Sequence, residues 1–254
     1  MKKGIGTAFL WVTLGAAGLC AETETPEIKA CQTEVRAHPR SAEAYYDLGM
    51  AYKNSSQPEE AIKALQRAIR IKPDFGQAYD SAGMIYGELG HLQEASNMLE
   101  EAVRVQPLYA QAHIDLGMTY AVMDRLEEAA EAFRQGLHLR SDGENTEANF
   151  ALGTVYDVMK RYEEAADAYR RVVHVKPNDE KAYIRLGLTY QKMRQLEKAV
   201  DAFKEAIHVN PDDAHAYELL GGLYRELGRQ NDETELYKYE QYMRTRLAQG
   251  NART

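Results

Sequence analysis

Cysteine is scarce in this sequence, which has two among its 254 residues. Cys20 lies in an apolar N-terminal stretch, so loss of that stretch would leave Cys31 as the single cysteine. One cysteine cannot form an intramolecular disulfide, and this excludes a fold held together by a disulfide framework. Cys31 is then either a buried thiol or one half of an intermolecular bond. We favour the buried thiol, because Cys31 aligns with a core position of the repeat described below.

The sequence also lacks an excess of positive charge and the short motifs of common enzymes. Its formal net charge is −8 and its pI is about 5.5, and no basic patch stands out, so nucleic-acid binding is not predicted. It contains no Gly-x-Ser-x-Gly, no phosphate-binding P-loop, no His-Glu-x-x-His and no Cys-x-x-Cys. We therefore predict no catalytic residues, no cofactor and no small-molecule substrate, and we do not expect an enzyme.

The apolar run near the N-terminus, residues 5–18, is too short for a comfortable membrane span. It follows Lys2 and Lys3 and ends in small residues. A charged start, an apolar middle and small residues before a cleavage site are typical of a secretory signal peptide. We predict a signal peptide over residues 1–21, cleaved after Ala21, and hence export to the periplasm or cell envelope.

Two alternatives to cleavage stay open at this N-terminus. The apolar run is retained as an anchor, or Cys20 is lipidated as in bacterial lipoproteins, which would tether the protein to a membrane surface. Leu19 stands directly before Cys20, where the lipoprotein signal has a small residue, so the match is poor. A membrane partner is therefore expected only if Cys20 carries a lipid.

What the sequence does contain is a repeat with a period of 34 residues. Each copy places a glycine three residues before a tyrosine, as in Gly49 and Tyr52. The repeated glycines are Gly49, Gly83, Gly117, Gly153, Gly187 and Gly221. Five of the seven prolines recur at one later place in the repeat: Pro39, Pro73, Pro107, Pro177 and Pro211. Between the third and fourth copies the period stretches by two residues, within residues 141–145.

The spacing inside one copy predicts two helices joined by a turn. Tyr45, Leu48 and Tyr52 fall on one helical face, and a matching apolar set follows in the second helix. A glycine inside a helix costs about 1 kcal/mol relative to alanine, so the recurring Gly49 position needs a physical reason. We expect close approach of the paired helix, with small residues such as Ala61 facing the glycine. The recurring proline ends the second helix.

This pattern resembles that of the tetratricopeptide repeat family over roughly residues 42–247. The resemblance implies an all-α fold, an α–α superhelix of six helix-turn-helix repeats with a capping helix at each end. The expected divisions are 22–41 for a linker and the N-terminal capping helix, 42–143 for repeats one to three, 144–247 for repeats four to six with a divergent C-terminal capping helix, and 248–254 for a frayed tail.

The histidines do not predict a metal site. His138, His174 and His208 occupy one place in three successive repeats, and arginine occupies the same place in the earlier repeats. A protonatable or cationic group near the end of a helix suits the helix dipole. Successive repeats are also too far apart for two of these side chains to coordinate one metal ion. We therefore interpret this histidine series as a helix-end feature.

The resemblance also implies a binding surface, because members of this family contact ligands mostly through fixed positions of the first helix in each repeat. Counted from Ala42, the fifth and ninth positions form a largely apolar strip with methionine in three consecutive repeats. The predicted partner-binding residues are Tyr46, Met50, Met84, Ile114, Met118, Phe150, Ile184 and Leu188. Flexible methionines suit a peptide or helical ligand. The alternative is that these side chains mainly join adjacent first helices.

Together these features predict a non-catalytic scaffold that binds a peptide or helical segment of a protein partner in a concave groove. Some family members clamp a C-terminal carboxylate with lysine and asparagine at the fifth and ninth positions. Those residues are absent from these positions, which disfavours that mode of binding. Two alternatives remain: a membrane-tethered, lipoprotein-like assembly factor for a pilus or secretion machine, and a regulatory subunit of an enzyme complex.

Overall fold

A computed structural model describes residues 25–140, 145–234, 236, 237 and 241. These residues form α-helices joined by turns, and no strand occurs among them. The helices fall into two compact units, Met1–Gly143 and Glu144–Thr254. The predicted all-α repeat fold is thereby confirmed. The proposed signal peptide, the frayed tail and most of the insertion after repeat three lie outside the described residues.

The described part of the first unit begins with a single helix and continues as three helix pairs. Its helices are α1 Pro26–Ala37, α2 Ala42–Asn54, α3 Pro58–Ile71, α4 Gly76–Glu88, α5 Leu92–Val105, α6 Ala110–Val122 and α7 Leu126–Leu139. Each first helix (α2, α4 or α6) packs along the second helix of its own repeat, and α4 also contacts both α2 and α6. The three first helices therefore lie side by side.

The second unit repeats the same pairing. Its helices are α8 Thr146–Val158, α9 Tyr162–Val175, α10 Glu180–Lys192, α11 Leu196–Val209 and α12 Ala214–Glu226. Helical residues resume at position 230, where the C-terminal capping helix was expected, but much of that segment lies outside the described residues. The first helices of this unit are α8, α10 and α12.

Helix α1 covers the open side of the first repeat, as the sequence predicted. The Thr25 hydroxyl accepts a hydrogen bond from the Ile28 N–H, and Pro26 occupies the first helical turn, where a missing N–H costs nothing. Ile28 is fully buried and packs in one apolar cluster with Leu48 and Ala64 of the first repeat. This helix is therefore a cap that takes the place of a preceding repeat.

Cys31 packs at the edge of that cluster and is half-buried rather than fully buried. Burial, followed by the negative charges of Asp47 and Glu27, raises the pKa of its thiol. A thiol with a raised pKa is mostly protonated at neutral pH and reacts slowly as a nucleophile. The favoured interpretation of Cys31 as a buried thiol holds in part, since α1 leaves some of the side chain exposed.

The repeated glycine is the point where a first helix comes closest to its second helix. A Cβ atom added at Gly83 would lie 2.6 Å from Cγ of Leu99 and 3.1 Å from the carbonyl oxygen of Ala95. The same side-chain clash, at 2.5 to 2.9 Å, would occur in four other repeats, at Gly49 with Leu65, Gly117 with Phe133, Gly153 with Tyr169 and Gly187 with Phe203. The predicted close approach beside an alanine is therefore confirmed in the first two repeats, and the glycine also makes room for a large side chain that the sequence did not indicate.

The last repeated glycine differs from the others. A Cβ atom at Gly221 would meet its nearest neighbour, Cδ2 of Leu236, at 3.7 Å, which is an ordinary contact. Glu233, which replaces a small core residue of the repeat, forms an ion pair with Arg225 at 3.1 Å. The described part of the last helix pair is therefore looser at this point, as expected where the repeat pattern diverges.

Every first helix ends in the same left-handed turn. The residues with positive φ are Ser56 (57°), Gly90 (79°), Asp124 (61°), Lys160 (61°), Arg194 (60°) and Gly228 (70°). In the first repeat the N–H of Gln57 then donates to the carbonyl of Tyr52 at 2.9 Å, which closes a Schellman motif. Four of these six residues are not glycine, although each such residue costs about 1–2 kcal/mol in this conformation. Tight helix pairing evidently outweighs that cost.

Among the residues that the structure describes, none of the helices has both the length and the apolar character needed to cross a bilayer.

Two glycines of α4 provide a test of the close approach. Gly83→Ala should lower the free energy of unfolding by about 1–3 kcal/mol, because Leu99 must leave its position. Gly87 lies one turn later, and a Cβ atom there would meet nothing closer than 3.9 Å. Gly87→Ala should therefore leave the free energy of unfolding unchanged or raise it by up to about 1 kcal/mol. Urea unfolding of the full chain, followed by circular dichroism, measures both; equal effects would contradict this account.

Candidate binding surface on the first helices

The predicted partner-binding residues of the first unit do not share one environment. Tyr46, Met50, Met84 and Met118 are half-buried, whereas Ile114 is buried, with 5% of its surface exposed. The three methionines occupy the same position on the neighbouring helices α2, α4 and α6. They give this side of the first unit a row of flexible apolar side chains that are partly open to solvent. We call these three residues the methionine row.

Two of the predicted residues serve the packing of the repeats. A Cβ atom added at Gly136 would lie 2.7 Å from Cγ1 of Ile114, so Ile114 fills the core between α6 and α7. The ring of Tyr46 lies 5.2 Å from that of Phe75, and its hydroxyl accepts a hydrogen bond from Ser81 at 3.4 Å. Ile114 is therefore a core residue of its own repeat, whereas Tyr46 joins α2 to the next repeat.

In the second unit, Phe150, Ile184 and Leu188 are all half-buried. The Phe150 ring lies edge-on to Tyr169, with ring centroids 5.4 Å apart. The Tyr169 hydroxyl lies 3.2 Å from that of Thr154, one turn after Phe150. Phe150 is therefore partly engaged in helix pairing. Ile184 and Leu188 are one turn apart on α10 and present a small apolar patch on one face of that helix.

Two buried carboxyl groups lie between α4 and α6, and sequence reasoning did not anticipate them as a pair. Asp80 and Asp115 are only 6% and 8% exposed. The Tyr109 hydroxyl donates to Oδ2 of Asp80 at 3.3 Å, and the Gln111 amide donates to Oδ1 of Asp115 at 3.0 Å. The two carboxyl groups are also close enough to affect each other's protonation. Oδ1 of Asp80 is buried and receives no hydrogen bond from a donor group.

Burial changes the protonation of this pair. Desolvation, followed by the charge of Asp115, raises the pKa of Asp80 well above the ordinary value, although Lys53 and the Tyr109 hydroxyl act in the opposite direction. Desolvation also raises the pKa of Asp115, against the hydrogen bond from Gln111. Two carboxylates this close cannot both ionise cheaply, so they hold a shared proton to a much higher pH than free aspartates do.

The lysine that acts on the carboxyl pair already has a carboxylate partner. Lys53 is the cation that reduces both pKa shifts, and it is itself paired with Glu88 at 3.3 Å. Asp47, at the place on α2 that corresponds to Asp115, is exposed. Lys72, a second cation of this unit, is paired with Glu43 at 3.1 Å. The Asp80–Asp115 pair is therefore an acidic group beside the apolar methionine row.

The sequence pattern marks one member of the carboxyl pair, Asp80, as unusual. Asp80 stands at the fifth repeat position, where Tyr46 and Ile114 occupy the neighbouring repeats. A charged residue in an otherwise apolar strip is a reason to look for a partner group. Asp115 stands at the sixth position, outside the positions that the resemblance emphasises. Its approach to Asp80 depends on how α4 and α6 pack.

In the part of the chain that the structure describes, no group of three or more histidine, cysteine, aspartate or glutamate side chains is arranged to hold a metal ion. His138, His174 and His208 are exposed and lie in the last turns of α7, α9 and α11. This placement agrees with their interpretation as helix-end residues that interact favourably with the helix dipole.

Two family models match the sequence, and both are described as tetratricopeptide repeat. One matches residues 42–75 and 180–213, and the other matches residues 81–144 and 123–180. Together these matches cover more than half of the chain. No curated protein matches the sequence.

Solved structures with the same fold include other repeat proteins. YrrB, described as a TPR protein with an unusual peptide-binding site, is 22% identical with a TM-score of 0.67, and the match covers 75% of this chain and 97% of YrrB. A MamA protein is 25% identical with a TM-score of 0.62, covering 68% of this chain and 94% of MamA. MamA from Desulfovibrio magneticus RS-1 is 24% identical with a TM-score of 0.58, covering 67% and 96%.

The buried carboxyl pair predicts an unusual dependence of stability on pH. Folding raises both aspartate pKa values, so the pair destabilises the protein as the pH rises from about 4 towards neutral. Asp80→Asn should therefore raise the free energy of unfolding at pH 8 by on the order of 2 kcal/mol, and the gain should shrink as the pH approaches 4. Urea unfolding across this pH range provides the measurement.

The matched control is Asp47→Asn, at an exposed carboxyl on α2. It should change stability little at any pH. A loss of stability in Asp80→Asn at pH 8, or a gain that does not vary with pH, would contradict the raised pKa of the pair.

Proposed function

The chain belongs to the tetratricopeptide repeat family, and we propose from this premise that it is a non-catalytic scaffold that binds a peptide or helical segment of a protein partner. Proteins of this family are generally interaction modules without catalytic activity. In this proposal the partner lies along the first helices of the repeats, on the side that carries the methionine row. A structurally similar protein, YrrB, is described as having a peptide-binding site.

The observation that carries the proposal is the methionine row of the first unit. Met50, Met84 and Met118 recur at one position on three adjacent helices, and all three are half-buried. Large apolar side chains left partly open at a regular interval favour a ligand that is itself extended or helical. Methionine adapts its shape to different apolar ligands, since its side chain is unbranched and polarizable.

We also propose that the protein acts outside the cytoplasm, in the periplasm or cell envelope. Support comes from Lys2, Lys3 and the apolar run that follows them, which have the order of a secretory signal. Mass spectrometry of the protein recovered from a Gram-negative host tests this directly. We expect a free N-terminus at Glu22. A lipid on Cys20 would instead favour the membrane-tethered assembly factor, and retention of residues 1–21 would contradict cleavage.

The binding surface is tested by charging the methionine row. Peptides are selected on the wild-type protein from a random-peptide library, and their affinities are measured by fluorescence anisotropy. The double variant Met84→Asp and Met118→Asp should bind these peptides at least about tenfold more weakly, because two carboxylates replace apolar contacts in the ligand path.

The control for this experiment carries the same added charge elsewhere. Thr33 on α1 and Asn97 on α5 are exposed, and changing both to aspartate should leave peptide affinity unchanged. Circular dichroism confirms that both double variants remain helical. Equal peptide binding by the wild type and the Met84/Met118 variant, or failure of the selection to yield any peptide, would count against the proposed function.

A further inference from the structure

The Asp80–Asp115 pair costs stability, and it also has features of a binding subsite. It lies on the two adjacent first helices α4 and α6, which carry Met84 and Met118 of the methionine row. Met84 follows Asp80 by four residues and Met118 follows Asp115 by three, so each carboxyl lies about one helical turn from a methionine. The pair is therefore next to the surface where the proposed ligand lies.

The buried oxygen without a donor points to a missing group. A buried polar atom that makes no hydrogen bond costs roughly 1–3 kcal/mol, and such atoms are rare in folded proteins. Oδ1 of Asp80 is such an atom, on a side chain that is 6% exposed. Nearby donors are already engaged, because Tyr109 donates to Oδ2 of Asp80 and Gln111 donates to Asp115. When the pair is ionised, this oxygen has no donor, and a donor brought by a ligand would supply one.

The negative charge of the two aspartates determines which kind of ligand group can bind them. Each carboxylate is an acceptor, so a ligand that satisfies both must present several N–H groups and, ideally, positive charge. A guanidinium group has five N–H donors in a planar fork and matches a pair of carboxylates better than a single ammonium does. Lys53 does not fulfil this role, because it is paired with Glu88.

We propose that the Asp80–Asp115 pair receives an arginine side chain of the segment bound along the first helices. The inference rests on the proposed function and specifies the chemistry of the partner. The bound segment then carries a basic residue flanked by apolar residues, which contact the methionine row. Because both aspartates are less than a tenth exposed, the side chains that cover them must shift as the arginine enters.

The exchange of a proton for a guanidinium depends on the groups that surround the pair. Helix α2 contributes Lys53 and the Tyr46 hydroxyl, α4 contributes Glu88, and the turn before α6 contributes Tyr109. In the free protein the shared proton relieves the repulsion between the two carboxylates. When a guanidinium enters, the positive charge takes over that function and the proton is released to solvent.

The test uses a defined probe pair rather than an unknown partner. One fluorescein-labelled peptide of leucine, alanine and glutamine carries a central arginine, and its twin carries citrulline, which has the same shape without the charge. The wild-type protein should bind the arginine peptide at least about tenfold more tightly. The double variant Asp80→Asn and Asp115→Asn should bind the two peptides equally, whereas Asp47→Asn should keep the preference.

A calorimetric measurement tests the proton exchange. The binding enthalpy of the arginine peptide to the wild type should change with the ionisation enthalpy of the buffer, which indicates proton release, and this dependence should vanish in the Asp80/Asp115 double variant. A wild-type protein that binds both twins equally, or neither of them, would overturn the inference, as would a double variant that keeps the arginine preference. The library selection described above decides the proposed function separately.

Discussion

The close contact of each first helix with the large apolar residue of its second helix is the constraint on which the structure depends. At Gly83 this contact leaves no space for even a methyl group against Leu99. The same arrangement recurs at Gly117 against Phe133 and, in the second unit, at Gly187 against Phe203. Packing at this density fixes the distance and rotation of the helix pair, because a shift by a fraction of an ångström would open a void or produce a clash.

A fixed rotation of the helix pair also fixes which residues face outward. Since each first helix turns the same face to its second helix, the opposite positions recur on the same side in successive repeats. The methionine row of the first unit is a consequence of this register. So is the left-handed turn that ends each first helix, where Asp124 and Lys160 adopt a conformation that glycine would adopt at lower cost. The tight pairing imposes local strain that the turn sequence alone would not select.

The carboxyl pair also depends on the alignment of neighbouring first helices. Asp80 and Asp115 meet because α4 and α6 lie side by side, and their burial destabilises the ionised protein. A stability cost that is confined to one place beside the candidate binding surface is typical of residues retained for binding rather than for folding. Ile114 shows the reverse, because a residue at a position associated with ligands has become part of the core.

The sequence by itself determined the repeat length, the helix pairs, the capping helix α1 and the family, because each depends on spacing along the chain. The repeat length, for example, follows from the regular spacing of the glycines, tyrosines and prolines. Only the tertiary structure decided that the Leu65 side chain joins Ala61 in filling the space at Gly49, and that Asp80 meets Asp115. These contacts join residues whose distance depends on side-chain volume and on the packing of separate helices, and neither is encoded in a linear pattern.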